Sequence, residues 1–500
     1  MKNKIILIRP ENVYRYNNYP PLNLISLGSI LKKNGFDVTI INSILEKDAY
    51  KTIQAELNDA LVIGITMLTS EVPDALKVSN FIKKQADIPI VVGGWHCTLF
   101  PEQIANCENI DYVIMGEGEE HFLEIAKNLR QGIKPKDRIY RKKIIDLDTL
   151  PIPDYTIDKN IEFFIRSSLQ DQFSRYVKHP LRWLPYESSR GCPSECAFCI
   201  NVVTENTRYR KKSAKKVVSE IVPIFKQFKL THFKIIDDNF FVDIKRAREI
   251  AEGIIENGLD ITWDAECRCD YFNDRQINDD TLRLLKKSGL IQLTLGIESG
   301  SQRTLDLIKK HITFEQAENA VIKCNQFGII ARSSFMIEIP GETMDDIQKT
   351  IKFINKLRKY PYFSCGVTTF RPYPKCELSE NLLKNGLLTE PQSCQDWANS
   401  DAMAMYTASE IIRPWQVDGR YSVSACYYLN MESGSRLGDH QIDNLSDKIK
   451  NNIFTFLAKV RNRLMFYAFP FDMELYKKFF VSFYAKKQET EKGSGVAISK

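Results

Sequence analysis

The sequence has little cysteine and no long hydrophobic run. Its 12 cysteines in 500 residues are far fewer than a disulfide-stapled secreted domain carries. No stretch approaches the roughly 20 apolar residues that span a bilayer. The first ten residues, MKNKIILIRP, lack the apolar core of a signal peptide. We therefore expect a soluble protein of a reducing compartment, located in the cytoplasm and without a transmembrane segment.

Strong charge imbalance and internal repeats are missing as well. The sequence has 69 Lys and Arg against 63 Asp and Glu, a net charge of +6. Such a small excess does not indicate a nucleic-acid partner. Because 500 residues exceed what one hydrophobic core supports, the sequence predicts two or three globular domains.

Residues 1–140 alternate short apolar runs with amphipathic segments. The runs that predict buried strands are KIILIRP, DVTIIN, ALVIGITM, IPIVVGGW and DYVIMG. Helical patterns such as NLISLGSILKKNG and DALKVSNFIKKQ lie between them. Strands spaced in this way by helices predict an α/β domain with a doubly wound, Rossmann-like parallel sheet, which binds ligands at the carboxyl ends of its strands.

A second alternation of strands and helices follows. Residues 141–183 include the proline-punctuated LPIPDY and predict a linker. Residues 184–390 hold six strand patterns separated by helical ones, which favour an open, partial (β/α)6 barrel over a second flat sheet. Residues 391–500 are aromatic, basic and poor in strand patterns. We expect a mostly helical cap there, broken at Pro470, with a disordered tail over 488–500.

Three cysteines, Cys192, Cys196 and Cys199, lie in the segment RGCPSECAFC after the first barrel strand. Their C-x3-C-x2-C spacing allows three thiolates on one tight loop to face a centre the size of an iron–sulfur cluster. Three ligands rather than four would leave one iron of a [4Fe–4S] cluster open, as a catalytic zinc site keeps one position vacant. The alternative is structural zinc, with Cys267 or Cys269 as the fourth ligand.

This loop at the start of a partial barrel resembles that of the radical S-adenosylmethionine (SAM) superfamily. In that superfamily a C-x3-C-x-aromatic-C loop binds [4Fe–4S], and the open iron holds the amino and carboxylate groups of SAM. The resemblance implies SAM contacts in the segments IIDDNFF, WDAECRCD and LGIESGS. Glu266 and Arg268 share one face of the third strand, and Arg268 is expected at the SAM carboxylate. Glu298 is expected at the methionine or ribose part.

The resemblance thus implies two sets of residues, and it assigns no catalytic residue beyond the cluster loop. The metal ligands are Cys192, Cys196 and Cys199. The SAM-binding residues are Phe198, Asp237, Asp238, Asn239, Arg268, Glu298 and Ser299. Which of the three polar residues over 237–239 accepts from the SAM ammonium is left open.

Residues 1–130 resemble the cobalamin-binding domain that precedes the barrel in one large radical SAM subclass. The glycines that would allow a corrin or nucleotide tail to approach backbone amides are Gly93, Gly94, Gly116 and Gly118. The first strand–helix loop, RPENVYRYNNYPP, lacks the histidine of the D-x-H-x-x-G motif that supplies a cobalt ligand. His96 is one alternative ligand. The resemblance implies cobalamin as a third cofactor beside the cluster and SAM.

We expect an enzyme that cleaves SAM reductively, abstracts hydrogen from an unactivated carbon and methylates that carbon with cobalamin. The substrate is a small molecule, a natural product or a lipid-like compound, and a flavodoxin or ferredoxin supplies electrons. The alternatives are radical cyclisation, oxidation or carbon–carbon bond formation without methyl transfer, and a non-catalytic iron–sulfur or zinc-binding module. The aromatic and basic segment 463–487 packs on the barrel, covers a hydrophobic substrate or rests on anionic lipid, so peripheral membrane contact is left open.

Overall fold

The computed structural model describes residues 2–13, 19–141, 145–166, 181–408, 411–433 and 445–476. The described residues form two compact units: those within 1–164 and 389–407 form the first, and those within 165–388 and 408–482 form the second. The predicted disordered tail over 488–500 lies outside the described residues. Among the helices that are described, none has the length and apolar character needed to cross a membrane.

The first unit is built on a parallel sheet of six strands in the order β2-β1-β3-β4-β5-β6. These strands are β1 (Lys4–Arg9), β2 (Asp37–Asn42), β3 (Ala60–Thr66), β4 (Ile90–Gly93), β5 (Tyr112–Ile114) and β6 (Ile139–Tyr140). The reversal of strand order beside β1 confirms the predicted doubly wound sheet. The central strand β1 is fully buried over Ile5–Ile8, because helices cover both faces of such a sheet. The sixth strand has two residues, and no apolar run predicts it.

Helices of the first unit connect these strands and cover them. They are α1 (Leu22–Lys33), α2 (Ala49–Glu56), α3 (Val72–Gln85), α4 (Trp95–Leu99), α5 (Pro101–Ala105), α6 (Glu119–Arg130) and α7 (Ile161–Ile165), the last at the boundary between the units.

The second unit contains an open parallel sheet of six strands in the order β14-β13-β12-β11-β10-β7. These strands are β7 (Trp183–Tyr186), β10 (His232–Ile235), β11 (Thr262–Cys267), β12 (Leu290–Glu298), β13 (Ile330–Ile337) and β14 (Phe363–Thr369). A separate two-stranded ribbon pairs β8 (Ser189–Arg190) with β9 (Arg210–Lys211). Every predicted barrel strand is present, in sequential order, which confirms the partial barrel.

Four helices of the barrel begin after a residue whose side chain caps them. Ser213, Asp243, Thr313 and Thr343 each accept a hydrogen bond from the third residue of the helix that follows, which satisfies an otherwise free backbone N–H. The barrel helices are α8 (Ile200–Val203), α9 (Ala214–Phe228), α10 (Ile244–Glu256), α11 (Asp279–Lys287), α12 (Gln302–Leu307), α13 (Phe314–Gln326), α14 (Met344–Leu357) and α15 (Glu377–Lys384).

The residues after α15 are helical and divide between the units. In the first unit are α16 (Cys394–Trp397) and α17 (Ser400–Thr407); in the second are α18 (Gly419–Glu432), α19 (Leu445–Leu464) and α20 (Phe471–Tyr476). Cys394 forms a disulfide with Cys107, a pairing that no sequence pattern predicts. The helix break predicted at Pro470 covers residues 465–470.

Candidate active site at the carboxyl edge of the barrel

The cysteine loop follows β7 and is closed at its base by the β8–β9 ribbon. Gly191 has a φ of 88°, and a Cβ there would lie 2.5 Å from the Arg208 carbonyl oxygen, so only glycine fits this turn. The Cys192 amide donates to the Asn206 carbonyl at 3.1 Å, and the Cys199 amide donates to the Cys196 carbonyl at 3.0 Å. These bonds hold the cysteine-bearing segment in one compact turn.

The three thiols of this loop lie in a partly buried setting. Burial raises the pKa of Cys199 to about 11, and the neighbouring Cys196 and Cys192 thiols add to the shift. Burial also raises the pKa of Cys196, although Lys310 and Arg268 oppose it. Thiolates in such surroundings need a bound cationic group to be stable. With no cation bound, Cys196 and Cys199 are therefore protonated, and binding of a metal cluster would release their protons.

A structural zinc site gathers its ligands around a single ion. Among residues 2–13, 19–141, 145–166, 181–408, 411–433 and 445–476, no three His, Cys, Asp or Glu side chains are arranged to hold one metal ion. Zinc requires thiolates about 2.3 Å from a single point, whereas an iron–sulfur cluster spreads its thiolates around a larger core.

A buried ion pair, which the sequence patterns do not reveal, lies beside the cysteine loop. Lys310 Nζ donates to Glu298 Oε1 at 3.0 Å and lies 5.9 Å from the Phe198 ring centroid. Burial lowers the pKa of Lys310, but the Glu298 carboxylate and the Cys196 thiol more than offset burial and raise it. Lys310 is therefore a fixed positive charge at the cluster loop. Phe198 and Glu298, both predicted at this site, are brought together here.

Gly296 leaves room for the Lys310–Glu298 pair at the end of β12, because it has no side chain. A Cβ at Gly296 would lie 2.8 Å from Lys310 Nζ and 2.9 Å from Glu298 Oε1. Glu298 itself has a φ of 70°, a backbone conformation that costs a non-glycine residue about 1–3 kcal/mol. Such strain at the end of a barrel strand is typical of residues that bind ligands.

Arg268 connects the end of β11 to the cysteine loop. Its guanidinium donates to Ser194 Oγ at 3.0 Å, to the Lys310 carbonyl oxygen at 2.9 Å and to Asp270 Oδ1 at 2.9 Å. The structure therefore places Arg268 at the site as a residue that positions the loop. Its contact with the SAM carboxylate stays a prediction.

The three polar residues after β10 have different surroundings. Asp237 is buried and accepts from the Ser188 amide at 2.6 Å and from the Ser188 and Ser189 hydroxyls at 2.5 Å. It therefore joins the ends of β10 and β7. Asp238 accepts from the Gly191 amide at 3.2 Å, which ties it to the turn before Cys192.

Asn239 has a buried acceptor without a hydrogen-bond partner. Its Nδ2 donates to the Tyr271 hydroxyl at 2.9 Å and lies 3.7 Å from the Cys192 sulfur. Its Oδ1 is buried without a hydrogen-bond partner. An unsatisfied buried acceptor costs about 1–3 kcal/mol, so this oxygen differs from the carboxylate oxygens of Asp237. Its contact with the SAM ammonium stays a prediction.

The Ser299 hydroxyl, unlike Asn239 Oδ1, has hydrogen-bond partners. Its hydroxyl bonds to Thr350 Oγ1 at 2.9 Å and accepts from the Ser301 amide at 3.1 Å. These bonds fasten the end of β12 to helix α14. The side chain therefore supports Glu298 through the backbone, and its direct contact with SAM stays a prediction.

The interior of the barrel is polar. Asp264, on β11, accepts from Lys234 Nζ at 2.7 Å and lies 2.8 Å from His232 Nε2. Two residues along β11, burial raises the pKa of Glu266 to about 7, with Lys234 opposing the shift and Asp264 adding to it. The positive charge of Arg332 also opposes the rise in the pKa of Glu266. This set of charges can hold polar groups of a ligand inside the barrel.

The four glycines predicted to approach cobalamin lie at or just after the carboxyl ends of β4 and β5. Gly94 has a φ of 111°, and a Cβ there would lie 2.9 Å from the Met67 carbonyl oxygen. The Gly116 amide donates to Thr98 Oγ1 at 2.9 Å. Gly93 ends β4 and Gly118 precedes α6. Their contact with cobalamin stays a prediction.

His96 lies beneath aromatic side chains in the first unit. Its ring centroid is 5.0 Å from those of Phe100 and Trp397, and its Nδ1 lies 3.3 Å from Thr69 Oγ1. Burial lowers the pKa of His96 to about 3, so the ring is neutral. The enclosing rings indicate a packing role, while Nε2 is buried without a hydrogen-bond partner, so cobalt ligation by His96 stays a prediction.

Two family models match the chain. The radical SAM superfamily model matches residues 186–354, and the B12-binding domain model matches residues 12–126. The first match contains the cysteine loop and Glu298, and the second contains Gly94. Each match therefore falls on the unit for which the sequence predicted it.

Two curated relatives align with most of the chain. An uncharacterized methyltransferase of Pyrococcus horikoshii is 31% identical over 387 residues, which are 74% of this chain and 80% of the relative. An anaerobic magnesium-protoporphyrin IX monomethyl ester cyclase of Rubrivivax gelatinosus is 26% identical over 377 residues, 73% of this chain and 66% of the relative.

A solved structure shares the fold. OxsB, a cobalamin-dependent SAM radical enzyme with aqua-cobalamin and SAM bound, matches with a TM-score of 0.70 and 16% sequence identity. The match covers 93% of this chain and 72% of OxsB.

Proposed function

The chain belongs to the radical SAM enzymes that carry a B12-binding domain, and on this premise we propose that it methylates an unactivated carbon of a small, natural-product or lipid-like substrate. Its cofactors are a [4Fe–4S] cluster, SAM and cobalamin. When bound, the cluster supplies the electron that cleaves SAM to a 5′-deoxyadenosyl radical, and cobalamin supplies the methyl group.

The observation that carries the proposal is the set of groups around the cysteine loop. Cys192, Cys196 and Cys199 supply three thiolates from one loop. Asn239 Oδ1 is a buried acceptor without a partner, and Nδ2 of the same side chain lies 3.7 Å from the Cys192 sulfur. Three thiolate ligands and an orphaned acceptor fit a cluster with one open iron, beside which the ammonium of SAM is bound. They fit a structural cluster with four protein ligands less well.

The residues of the chain have distinct roles in this proposal. Asn239 accepts from the SAM ammonium. Glu298 accepts from hydroxyl or ammonium groups of SAM, and Lys310 holds the Glu298 carboxylate in place. Arg268 fixes the loop through Ser194. The surrounding barrel excludes water, which a carbon radical requires.

The polar barrel interior supports a substrate with at least one polar group. Lys234, Arg332 and Glu266 give it both signs of charge. An external electron donor, a flavodoxin or ferredoxin, belongs to the proposal because none of the cofactors is itself a source of electrons. We place the enzyme in the cytoplasm.

Radical ring formation is the second candidate, and the 26% identity to a magnesium-protoporphyrin ester cyclase favours it. The test is anaerobic turnover of the reconstituted chain with methyl-labelled SAM, a reductant, hydroxocobalamin and a metabolite extract. Methyl transfer predicts label in a new product together with deoxyadenosine. Deoxyadenosine with an unlabelled product supports cyclisation or oxidation. Absence of both from a folded, cluster-containing sample contradicts enzymatic function.

A further inference from the structure

Helix α19 buries three of its polar residues and exposes five apolar ones. Asn451, Arg461 and Asn462 are 9% exposed or less. Asn462 Nδ2 donates to the Tyr428 carbonyl oxygen at 2.9 Å and to Glu432 Oε2 at 2.7 Å. The outward-facing residues of the same helix are Ile453, Phe456, Leu457, Val460 and Leu464. A helix on a water-facing surface has the opposite pattern.

The turn after α19 extends this exposed apolar surface and is held rigidly. The Arg461 guanidinium donates to the carbonyl oxygens of Phe466, Ala468 and Phe469 at 3.0–3.2 Å. It also pairs with Asp472 Oδ1 at 2.7 Å. One buried cation therefore organises the whole turn, and the turn keeps its shape without help from a partner.

The side chains of this turn point outward although they are aromatic. Phe466 is 49% exposed, Phe469 is 79% exposed and Phe471 is 68% exposed. Met465 and Phe469 have φ angles of 50° and 52°, which cost free energy for residues other than glycine. Strain and exposure together indicate that the turn is built to present its phenylalanines. We name these side chains the C-terminal apolar surface: Ile453, Phe456, Leu457, Val460, Leu464, Phe466, Phe469, Phe471 and Leu475.

The charges around the C-terminal apolar surface are mainly positive. Lys459 and Arg463 are exposed on α19, and Glu474 is the exposed acidic residue among the described residues over 453–476. Beyond the described residues the sequence continues with KKFFVSFYAKK over 477–487, which has four lysines and no acid. Basic residues interleaved with exposed aromatics are the pattern of segments that lie in the interface of an anionic bilayer.

We propose that the C-terminal apolar surface docks the enzyme on anionic phospholipid. The protruding phenylalanines enter the headgroup region, while Lys459 and Arg463 meet lipid phosphates. A second copy of the chain fits less well, because lysine is depleted in protein interfaces and two like-charged surfaces repel. The proposal is independent of the reaction, since none of these residues belongs to the candidate active site.

Vesicle sedimentation of the full-length, anaerobically reconstituted protein tests the proposal. The probes are phosphatidylcholine vesicles and vesicles of phosphatidylcholine and phosphatidylglycerol in equal parts. The variant combines Phe456→Ser, Leu464→Ser and Phe469→Ser, all at exposed positions. The matched control combines Ile133→Ser, Ile152→Ser and Phe163→Ser, which are also exposed apolar residues but lie in the first unit.

The wild type and the control are expected to sediment with the anionic vesicles and to remain in solution with phosphatidylcholine alone. The C-terminal variant is expected to lose about tenfold or more in partitioning, because each apolar side chain it removes contributes to insertion. Replacing Lys459 and Arg463 by Glu is expected to abolish the preference for anionic lipid. Equal binding by wild type and C-terminal variant, or no binding by the wild type, overturns the proposal. Sedimentation velocity without lipid gives a further contrary outcome: a wild-type dimer that the C-terminal variant abolishes assigns the surface to a second copy.

Discussion

The two parallel sheets of this protein present different carboxyl edges. The barrel edge gathers charged and hydrogen-bonding side chains around the cysteine loop, and among them Asn239 Oδ1 has no partner. The edge of the first sheet presents glycines such as Gly94, and His96 there lies against aromatic rings. Side-chain hydrogen bonds and charges therefore dominate the barrel edge. Backbone groups and ring packing dominate the edge of the first sheet.

This difference determines how each edge should respond to substitution. Single side-chain changes at the barrel edge remove specific bonds or charges, so their effects on cluster and SAM binding should be large. At the edge of the first sheet, a change that preserves packing should have little effect, whereas one that disturbs the backbone should have a large one.

The largest expected effect is that of Cys196→Ala. Removing one of three cluster thiolates should abolish iron binding and deoxyadenosine formation, as measured by iron analysis and by SAM cleavage with a chemical reductant. The matched control is Cys376→Ala. Burial and the nearby Cys199 raise the pKa of Cys376 to about 12, so this thiol is close to the loop without belonging to it. Retention of iron by Cys196→Ala, or its loss from Cys376→Ala, contradicts the three-cysteine assignment.

Lys310→Met should destabilise the barrel strongly. The change leaves the buried Glu298 carboxylate without its partner, which costs about 3–5 kcal/mol in buried pairs. The adjacent Lys309→Met is the matched control, because its pair with Glu377 is about half exposed and contributes about 0–1 kcal/mol. Anaerobic denaturation measures both variants. Equal losses in the two variants would show that Lys310 has no special role.

Asn239→Leu should weaken SAM binding about tenfold, because one hydrogen bond to a charged group is worth about 1.5–3 kcal/mol. Iron content should not change, since Asn239 is not a cluster ligand. Asn257→Leu, at the exposed end of α10, controls for the substitution itself. Equilibrium binding of SAM to the reconstituted variants is the measurement. An unchanged SAM affinity in Asn239→Leu removes this residue from the site.

Glu266→Gln should change how stability depends on pH. The carboxyl has a folded pKa of about 7 against an ordinary value of 4.5, so the folded chain binds the proton more tightly than the unfolded chain. The stability that this group contributes at low pH is therefore lost as pH rises from 4.5 to about 7. The variant, which does not titrate, should lack this part of the decline in unfolding midpoint. Glu256→Gln, exposed on α10, is the control and should follow the wild type. If the unfolding midpoint of Glu266→Gln depends on pH as that of the wild type does, the assignment of this decline to Glu266 is contradicted.

The smallest expected effect is that of His96→Phe. The phenyl ring keeps the contacts with Phe100 and Trp397 and removes both ring nitrogens, so cobalamin retention should be unchanged. Gly94→Ala should reduce retention instead, because its Cβ would lie 2.9 Å from the Met67 carbonyl oxygen. Retention is read from the visible spectrum after gel filtration. Loss of cobalamin in His96→Phe would identify the histidine as a ligand.

Much of the fold could be predicted from the sequence. The barrel strands and the first five strands of the N-terminal sheet carry apolar runs, and these runs are the direct consequence of burial on both faces. The two-residue strand β6 carries no run, so no pattern predicts it. Cys107 and Cys394 are 287 residues apart, and only tertiary structure brings them together.

The candidate site could be predicted only in part. The cysteine spacing and the positions of Asn239 and Glu298 at strand ends follow from local sequence. Lys310 does not, because it comes after α12 rather than directly after a strand, and its significance depends on the close approach that Gly296 permits. For the same reason, the sequence did not separate Asn239 from Asp237: both follow β10, and only their hydrogen-bond partners distinguish them.

The central claim is that three cysteines hold a cluster whose open iron binds SAM beside Asn239. The most direct measurement is electron–nuclear double resonance on the reduced, reconstituted chain with SAM labelled by ¹⁵N at the amino group and ¹⁷O at the carboxylate. The account predicts about four irons per chain and hyperfine coupling from both labels. A cluster with its full complement of iron but without coupling from either label would contradict the account and indicate a structural cluster.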